Sequence, residues 1–297
     1  MDTKTIKEYA RQHGADLIGI ASTEHFKNVP PENNPLAIMP ECKSVIVIAR
    51  RILRGSVRGV EEGTNFNSTY GFFGYRTLEE NFLSRTAYDL CCYIEQFGFE
   101  GTPLFVFNPE GMAKGIPVEP GKPEPNVLVD INVAAQATGL AEIGLGNFLI
   151  TPEFGTRQRF AIILTDAELE YDKVREKSIC SDCGKCAEAC PFGAIDLKKT
   201  TKIGVKGHQM DVAQVDWSIC QKCPNGAMLG PGRGTRPDRI AAACARQCLV
   251  QLEKTGKLKN KFENEFRKRT PWSLDIFDKP VKNQPTDNQE GCAKRYD

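Results

Sequence analysis

The stretch that most constrains this chain is CSDCGKCAEACP, residues 180–191, where four cysteines follow at spacings of three, three and four, and a proline comes after the last. Thiolates hold iron–sulfur clusters, and C-x2-C-x2-C-x3-C-P is a bacterial spacing for them. Zinc sites usually combine two C-x2-C pairs across a longer gap, and disulfides need no such spacing. The run therefore predicts a cluster site rather than a zinc site or a set of disulfides.

Four further cysteines follow the run: Cys220, Cys223, Cys244 and Cys248. In two-cluster proteins the fourth cysteine of the run binds the other cluster. The last two cysteines are four residues apart, as are the last two of the run, which predicts the same exchange in the other direction. The expected [4Fe–4S] ligand sets are Cys180, Cys183, Cys186 and Cys248, and Cys190, Cys220, Cys223 and Cys244. One cluster plus four structural thiols is the alternative, because the gap before Cys244 is long and Leu249 stands where a proline is usual.

Composition narrows the setting of these clusters. The 297 residues are 40% apolar and carry a net charge of +1, which suits one large domain or two ordinary ones and excludes strong attraction to nucleic acid. The sequence contains no stretch of 18 apolar residues, so we expect no membrane span. The N-terminal stretch MDTKTIKEYARQHGADL has no apolar signal region or twin arginine. We expect a cytoplasmic, reducing and anaerobic setting with no membrane partner. The other cysteines are interpreted as buried apolar residues or, for the last, a tail thiol: Cys42, Cys91, Cys92 and Cys292.

Strands and helices alternate through the first 170 residues. Apolar, β-branched stretches predict strands at 15–22, 44–52, 102–107, 147–151 and 159–166, and helical periodicity predicts helices at 3–13, 76–98 and 132–140. This order predicts an α/β domain over 1–170, a cluster module over 171–250, and a basic helix and tail over 251–297. Because no G-x-G-x-x-G or P-loop pattern follows a strand, a Rossmann nucleotide site and an ATP-driven electron donor are not expected. The stretch GPGRGTRPDR, 230–239, is interpreted as an ordinary loop.

The segment VLVDINVAAQATGLAEIGLGNFLITPEFGTRQRFAIILTD, residues 127–166, resembles the corrinoid-domain segment shared by epoxyqueuosine reductases and reductive dehalogenases. In that family an Asp-containing strand leads into a helix, a Gly-Leu-Gly turn, a strand, a TPEFG-like turn and a strand ending in Thr-Asp. The stretches GADLIGIAS and MPECKSVIVIARRI also fit, so the resemblance covers residues 5–250. It implies an α+β or α/β, nitroreductase-like corrinoid-binding domain followed by a bacterial ferredoxin-like two-cluster module.

The resemblance also implies an activity. Two clusters would pass low-potential electrons from an external donor, such as a ferredoxin or flavodoxin, to a base-off cobalamin that reduces epoxyqueuosine in tRNA or another electrophile. It makes Asp130 a candidate proton donor, for which capping of the helix at 132 is the equally weighted alternative. Tyr75 and Tyr70 are candidate acids, although two tyrosines in YGFFGY more often pack in a core. The residues it places at the cofactor are Gly139, Gly144, Gly146 and Asn147.

Two departures from the family weaken these expectations. Ile131-Asn132-Val133 follows Asp130 where epoxyqueuosine reductases have Thr and then Pro, and Leu145 stands where the family has a Lys or Arg. The helical repeats that many tRNA-binding members carry after the clusters are not seen, and the basic stretch 253–269 is interpreted as a solvated face rather than a phosphate contact. We therefore keep two alternatives: a non-catalytic protein that passes electrons to a partner such as a corrinoid enzyme, and a flavin in place of the corrin.

Overall fold

A computed structural model of the chain describes residues 1–106, 115–228 and 236–281. The strands within them are β1 (Leu17–Ser22), β2 (Ser44–Arg51), β3 (Gly101–Leu104), β4 (Glu142–Gly144), β5 (Phe148–Ile150), β6 (Gln158–Thr165), β7 (Ile195–Ile203) and β8 (Met210–Val215). The helices are α1 (Thr3–Gln12), α2 (Arg58–Glu61), α3 (Ser84–Glu95), α4 (Ile131–Ala137), α5 (Lys185–Glu188), α6 (Trp217–Cys220) and α7 (Ala243–Lys254). None of the helices in these residues is long and apolar enough to cross a membrane.

The centre of the fold is a four-stranded sheet in the order β1-β2-β6-β3. All three neighbouring pairs are antiparallel, with β2 and β6 aligned over eight residues from Ser44↔Thr165 to Arg51↔Gln158. The α/β half of the predicted fold class is therefore wrong, because α/β folds are built on parallel strands; the α+β half is confirmed. Alternation along the chain predicted each strand, but not the direction in which it pairs.

Helices cover both faces of this sheet. Along β2, Ile46 and Ile48 pack with α1 and α3, whereas Val45 and Val47 pack with α4 on the opposite face. Successive side chains of a strand point to opposite faces, so the nearly continuous apolar run of β2 fills two cores at once. These two cores fix the position of α4, whose N-terminus is at Asp130.

The helix predicted at 76–98 starts later than expected. Only Ser84–Glu95 is α-helical, and two π-helical segments, Asn67–Arg76 and Leu78–Leu83, lead into it. π-Helical turns are rare and occur mostly at functional sites. Here they carry Tyr75 and Glu79 to the wall of a cleft described below.

The cysteine module follows the sheet domain. The hairpin β7–β8 and the short helices α5 and α6 pack with α7 around a third core, which also contains Tyr70, Tyr75 and Ile52 of the sheet domain. A buried ion pair ties the two parts together, with Arg246 of α7 bonded to Glu61 of α2 at 2.5 Å. The module is therefore docked against the residues that precede α3.

The basic helix predicted from residue 251 is wrong. Helix α7 ends at Lys254, and no helix follows within 255–281. Gly256 adopts φ 67°, and the N–H of Lys257 donates to the Leu252 carbonyl at 3.1 Å, which is the Schellman way of ending a helix. The helix instead begins at Ala243, where it carries Cys244 and Cys248.

Candidate metal centre

Four cysteines form what we call the first thiol group: Cys180, Cys183, Cys186 and Cys248. Three come from the run itself; α5 starts after Gly184 (φ 70°) and turns Cys186 inward. Helix α7 packs against α5 and brings in Cys248. Burial raises the pKa of Cys248 well above its usual range, and the charges of Cys186, Cys180, Cys183 and Cys244 raise it further.

The other four form the second thiol group: Cys190, Cys220, Cys223 and Cys244. Burial raises the pKa of Cys244 to about 12; Arg239 opposes this shift, and the charges of the other three cysteines add to it. Asp216 caps α6 by accepting from the N–H groups of Ser218 and Ile219 at 3.0 and 3.2 Å, and α6 ends at Cys220. The structure thus packs cysteines of both sets around the core of the module; the division into two sets, and the binding of a [4Fe–4S] cluster by each, stay predictions.

The thiols of these two groups carry no disulfide. In the described residues all eight cysteines are reduced, and no group of three or more His, Cys, Asp or Glu side chains is arranged to hold a metal ion. Burial raises the pKa of Cys186 to about 12 and that of Cys220 to about 11, so the metal-free thiols are protonated at neutral pH. Cluster binding must therefore displace protons, because the ligand is the thiolate.

The remaining cysteines lie elsewhere. Cys42 and Cys91 are buried, as predicted for small apolar residues, whereas Cys92 is half-buried. Burial raises the pKa of the first two to about 11 and about 12, so they are unreactive thiols. Cys292 lies outside the described residues.

The turn Gly144-Leu145-Gly146-Asn147 lies against the first thiol group. A Cβ atom on Gly146 would be 2.7 Å from Cys186 Sγ, and one on Gly144 would be 3.6 Å from Cys180 Sγ. Burial raises the pKa of Cys180, and the N–H of Leu145, which hydrogen-bonds the sulfur, partly offsets this. The two glycines, expected at a corrin cofactor, thus contact the cysteines.

The other two residues expected at the cofactor lie in different parts of the structure. Asn147 (φ 58°) lines the cleft, so this residue lies where a cofactor would bind. Gly139 instead ends α4, with φ 69° and a Cβ position 2.2 Å from the Lys173 carbonyl oxygen. Its conformation explains the glycine without any ligand, and Gly139 does not line the cleft.

The cleft lies between the sheet domain and the cysteine module and has a volume of about 220 Å³. Its walls are β5, β6, the start of α4, the π-helical segments, Trp217 and residues 236–240. Four aromatic side chains line it, Tyr75, Phe148, Phe160 and Trp217, and so do three arginines, Arg159, Arg236 and Arg239. Aromatic rings and guanidinium groups together suit a flat, polar ligand.

Arg159 organises one wall of the cleft. Its guanidinium donates to Asp238 at 2.8 and 3.1 Å, to the Tyr70 hydroxyl at 2.8 Å and to the Gly74 carbonyl at 2.9 Å, and it pairs with Glu79 at 3.2 Å. We call Arg159, Asp238, Glu79 and Tyr70 the arginine network. Its charges are compensated, so it holds the wall rigidly without leaving a free cation.

The two candidate tyrosines differ sharply. Tyr70 is fully buried, and its hydroxyl donates to Asp238 at 2.5 Å, so it is a structural member of the arginine network. Tyr75 lines the cleft, with the Arg159 guanidinium carbon 4.8 Å from its ring centroid. Burial, followed by the charges of Glu79 and Asp238, raises the pKa of Tyr75 to about 12. Tyr75 is thus the tyrosine positioned to meet a ligand.

Asp130 caps α4. Its Oδ1 accepts from the N–H groups of Asn132 and Val133 at 2.8 and 3.4 Å, as a helix N-cap does. Burial raises the pKa of Asp130, although both hydrogen bonds and the charge of Arg236 oppose that shift. The next two residues, Ile131 and Asn132, line the cleft, so the carboxyl lies beside the cleft rather than in its wall. The geometry shows the cap, and the proton-donor role stays a prediction.

Sequence reasoning missed the arginines of the cleft. Arg236 and Arg239 fall in GPGRGTRPDR, which was interpreted as an ordinary loop; its residues 230–235 lie outside the described ones. The clustering of basic residues shortly before α7 was a signal in the sequence, but it did not indicate which surface their side chains face. Arg159 and Asp238, 79 positions apart, gave no local signal of their pairing.

Comparisons with known proteins show which sequences this chain resembles. A family model described as a 4Fe-4S binding domain matches residues 174–196. A tetrachloroethene reductive dehalogenase of Desulfitobacterium hafniense is 34% identical over 124 residues, which are 41% of this chain and 19% of that protein. An epoxyqueuosine reductase of Prochlorococcus marinus (strain NATL2A) is 24% identical over 201 residues, 65% of this chain and 62% of that protein.

A solved reductive dehalogenase structure, reported as suggesting a mechanism for B12-dependent dehalogenation, matches 89% of this chain and 35% of its own. The TM-score is 0.56 and the identity 18%, so this likeness shows the fold alone. The chain spans less than a fifth of the length of the first curated relatives that it matches. The likeness to both groups of proteins confirms the resemblance predicted from residues 127–166.

Proposed function

Since the chain is a reductive dehalogenase/epoxyqueuosine reductase-like protein with a 4Fe–4S ferredoxin domain, we propose that it is an iron–sulfur reductase. Its two thiol groups hold [4Fe–4S] clusters that deliver low-potential electrons to a group bound in the cleft, where an electrophilic substrate is reduced. The observation that carries this proposal is that the cleft shares a wall with both thiol groups.

That shared wall has two parts. Asn147 lines the cleft, and its neighbour Gly146 lies against Cys186 of the first thiol group. Trp217 also lines the cleft and begins α6, which ends at Cys220 of the second thiol group. Each thiol group is therefore joined to the cleft wall by one short segment of the chain.

The proposed cleft ligand is a corrinoid, in line with the B12-dependent dehalogenation named for the structural relative. Two buried polar atoms of the cleft wall, Thr156 Oγ1 and Arg239 Nη1, have no hydrogen-bond partner within the described residues. Buried polar groups are nearly always paired, so both atoms fit the amide-bearing rim of a corrin. A bound, reduced corrinoid would supply a strongly reducing nucleophilic centre.

The cleft is smaller than a whole corrinoid. About 220 Å³ is below the roughly 300–1,000 Å³ of pockets that enclose a drug-sized ligand, and a corrin is larger than such a ligand. A corrinoid would therefore have to extend beyond the described walls, with Asn147, Thr156 and Trp217 holding one part of it. The donor atoms fit the cofactor better than the enclosed volume does.

Tyr75 is the proposed proton donor in this cleft. Because its pKa is raised to about 12, the phenol keeps its proton at neutral pH until a substrate takes it. The Arg159 guanidinium over its ring would stabilise the phenolate that forms. Asp130 remains the second proposed donor, because burial favours its protonated form and it precedes two cleft residues.

An external low-potential protein is the proposed electron donor. Cys183 is exposed, unlike the other cysteines of the first thiol group. Electron transfer needs a short distance between centres, so a ferredoxin or flavodoxin would dock over this residue. The substrate remains an unnamed electrophile, since neither dehalogenation nor epoxyqueuosine reduction carries over from relatives that match part of the chain.

The second candidate is an electron-transfer protein without its own substrate site. Leu145, half-buried against the module core, stands where the family has a cation, and the cleft volume is small. Both observations favour a chain that keeps the clusters and has lost the substrate site. It would pass electrons to a partner such as a corrinoid enzyme.

One experiment separates the two candidates. The protein is purified without oxygen, its iron and sulfide are quantified, and absorbance is followed while cobalamin is added. About eight irons per chain and conversion of cobalamin to its base-off form support the reductase. Thr156→Val should weaken cobalamin uptake without losing iron, whereas Thr200→Val, exposed on β7, should change neither. Eight irons with no uptake of corrinoid or flavin would support the electron-transfer protein.

A further inference from the structure

Arg239 is a buried cation whose charge has no protein counter-ion in the described residues. Its side chain belongs to a residue only 6% exposed. Nη2 donates to the carbonyls of Gly146 and Asn147 at 3.0 and 2.7 Å, and the guanidinium carbon lies 4.3 Å from the Phe148 centroid and 4.9 Å from that of Trp217. Nη1 has no partner in these residues, and none of their carboxylates forms an ion pair with Arg239.

Such a cation needs an anion nearby. Removing a charge from water without a counter-charge is costly, and carbonyl oxygens or rings offset only part of the cost. The two thiol groups supply the missing charge once they hold iron, because a [4Fe–4S] cluster with four thiolates is net negative. The structure places Arg239 beside both of them.

Three contacts establish this position. Gly146, which accepts a hydrogen bond from Arg239, lies against Cys186 of the first thiol group. Trp217, on which the guanidinium stacks, starts the single turn of α6 that ends at Cys220. The Arg239 carbonyl accepts from the N–H of Ala242 at 2.9 Å, which leads directly into α7 and Cys244.

We propose that Arg239 is a shared electrostatic tuning residue that raises the reduction potentials of both clusters. Each cluster gains one negative charge when it accepts an electron from the external donor, and a fixed cation beside both favours that reduced state. This inference rests on the proposed presence of two clusters, but not on a corrinoid or a substrate.

The other two arginines of the cleft do not share this position. Arg159 is neutralised by Asp238 and Glu79. Arg236 stacks on Trp217 at 4.2 Å, but it is half-exposed, so water screens its charge. Arg236→Gln is therefore the matched control, since it removes a cation from the same ring.

The test is an EPR-monitored redox titration of the anaerobic protein without cobalamin or substrate. Arg239→Gln should make reduction of both clusters about tenfold less favourable, a shift of about 59 mV to lower potential for one electron. Arg239→Lys should keep most of the wild-type potential, because it retains the charge. Arg236→Gln should change both potentials much less than Arg239→Gln.

The other outcomes also test the role of Arg239. Full iron content with unchanged potentials in Arg239→Gln would overturn the inference, and weaker cobalamin uptake in that variant would assign Arg239 to the cleft ligand. Should Arg239→Gln lose iron, Arg239→Lys is decisive: retained iron supports the role of charge, and lost iron contradicts it. A wild-type protein that binds no iron would instead refute the proposed function.

Discussion

Gly146 lies so close to Cys186 that a methyl group on its α-carbon would be 2.7 Å from the cysteine Sγ atom. Real Cβ atoms do not approach sulfur this closely, so Gly146→Ala must displace either the turn or the thiol. We expect this variant to lose iron from the first cluster, measured as iron per chain and as EPR signal. Gly55→Ala is the control, because nothing lies within 4 Å of its Cβ position; full iron in Gly146→Ala would show that the turn moves and the thiol stays in place.

Cys248→Ser and Cys244→Ser should each remove one cluster, leaving about four of eight irons. The two residues lie one helical turn apart on α7, yet they belong to different thiol groups. Each variant should therefore abolish a different EPR signal. Cys92→Ser, outside both groups, should keep all the iron. If both α7 variants removed the same signal, the assignment of the two sets would be wrong.

Tyr75→Phe should lower turnover, whereas Tyr70→Phe should lower stability. Removing the Tyr75 hydroxyl from the cleft should lower reductase turnover by about 10²–10⁴-fold, as for loss of a general acid. Removing the Tyr70 hydroxyl takes away two buried hydrogen bonds, one to Asp238 and one from Arg159, which should cost about 1–3 kcal/mol of folding free energy. Turnover assays and thermal unfolding distinguish the two, and unchanged turnover in Tyr75→Phe would exclude it as the proton donor.

Asp130 predicts a pH-dependent stability. Its pKa is raised by burial from the ordinary value of 3.8, so the folded state binds a proton more tightly than the unfolded state. Its contribution to stability is therefore greatest at low pH and declines as pH rises above 3.8 through the raised value. Asp130→Asn keeps the cap and removes the buried charge, so its stability relative to the wild type should increase across that window.

The matched variant Asp130→Ala loses the cap and should be destabilised by about 1 kcal/mol. Thermal midpoints between pH 4 and 7 measure both variants. A constant difference between Asp130→Asn and wild type would contradict the shifted pKa. Reduced turnover in a stable Asp130→Asn protein would support the proton-donor role, and full turnover would leave Asp130 as a cap.

The sequence determined the parts of this protein that depend on local spacing. The run 180–191 and the repeated four-residue step before Cys248 predicted which cysteines group together, because the last cysteine of such a run binds the other cluster. Apolar periodicity predicted most strands and α4, and the Asp130 cap was weighed from the residue type alone. The resemblance over 127–166 predicted the likeness to reductive dehalogenases and epoxyqueuosine reductases.

Only the tertiary structure decided the relationships between distant segments. The antiparallel sheet, the pairing of Arg159 with Asp238 and the contact of Arg239 with Gly146 and Trp217 join residues far apart in the chain, and no local pattern encodes them. The helix predicted from residue 251 was wrong because the left-handed Gly256 ends α7 after Lys254. Composition shows that a stretch is basic, but only the packing shows that Arg239 is buried against Phe148 and Trp217 whereas Arg236 is half-exposed.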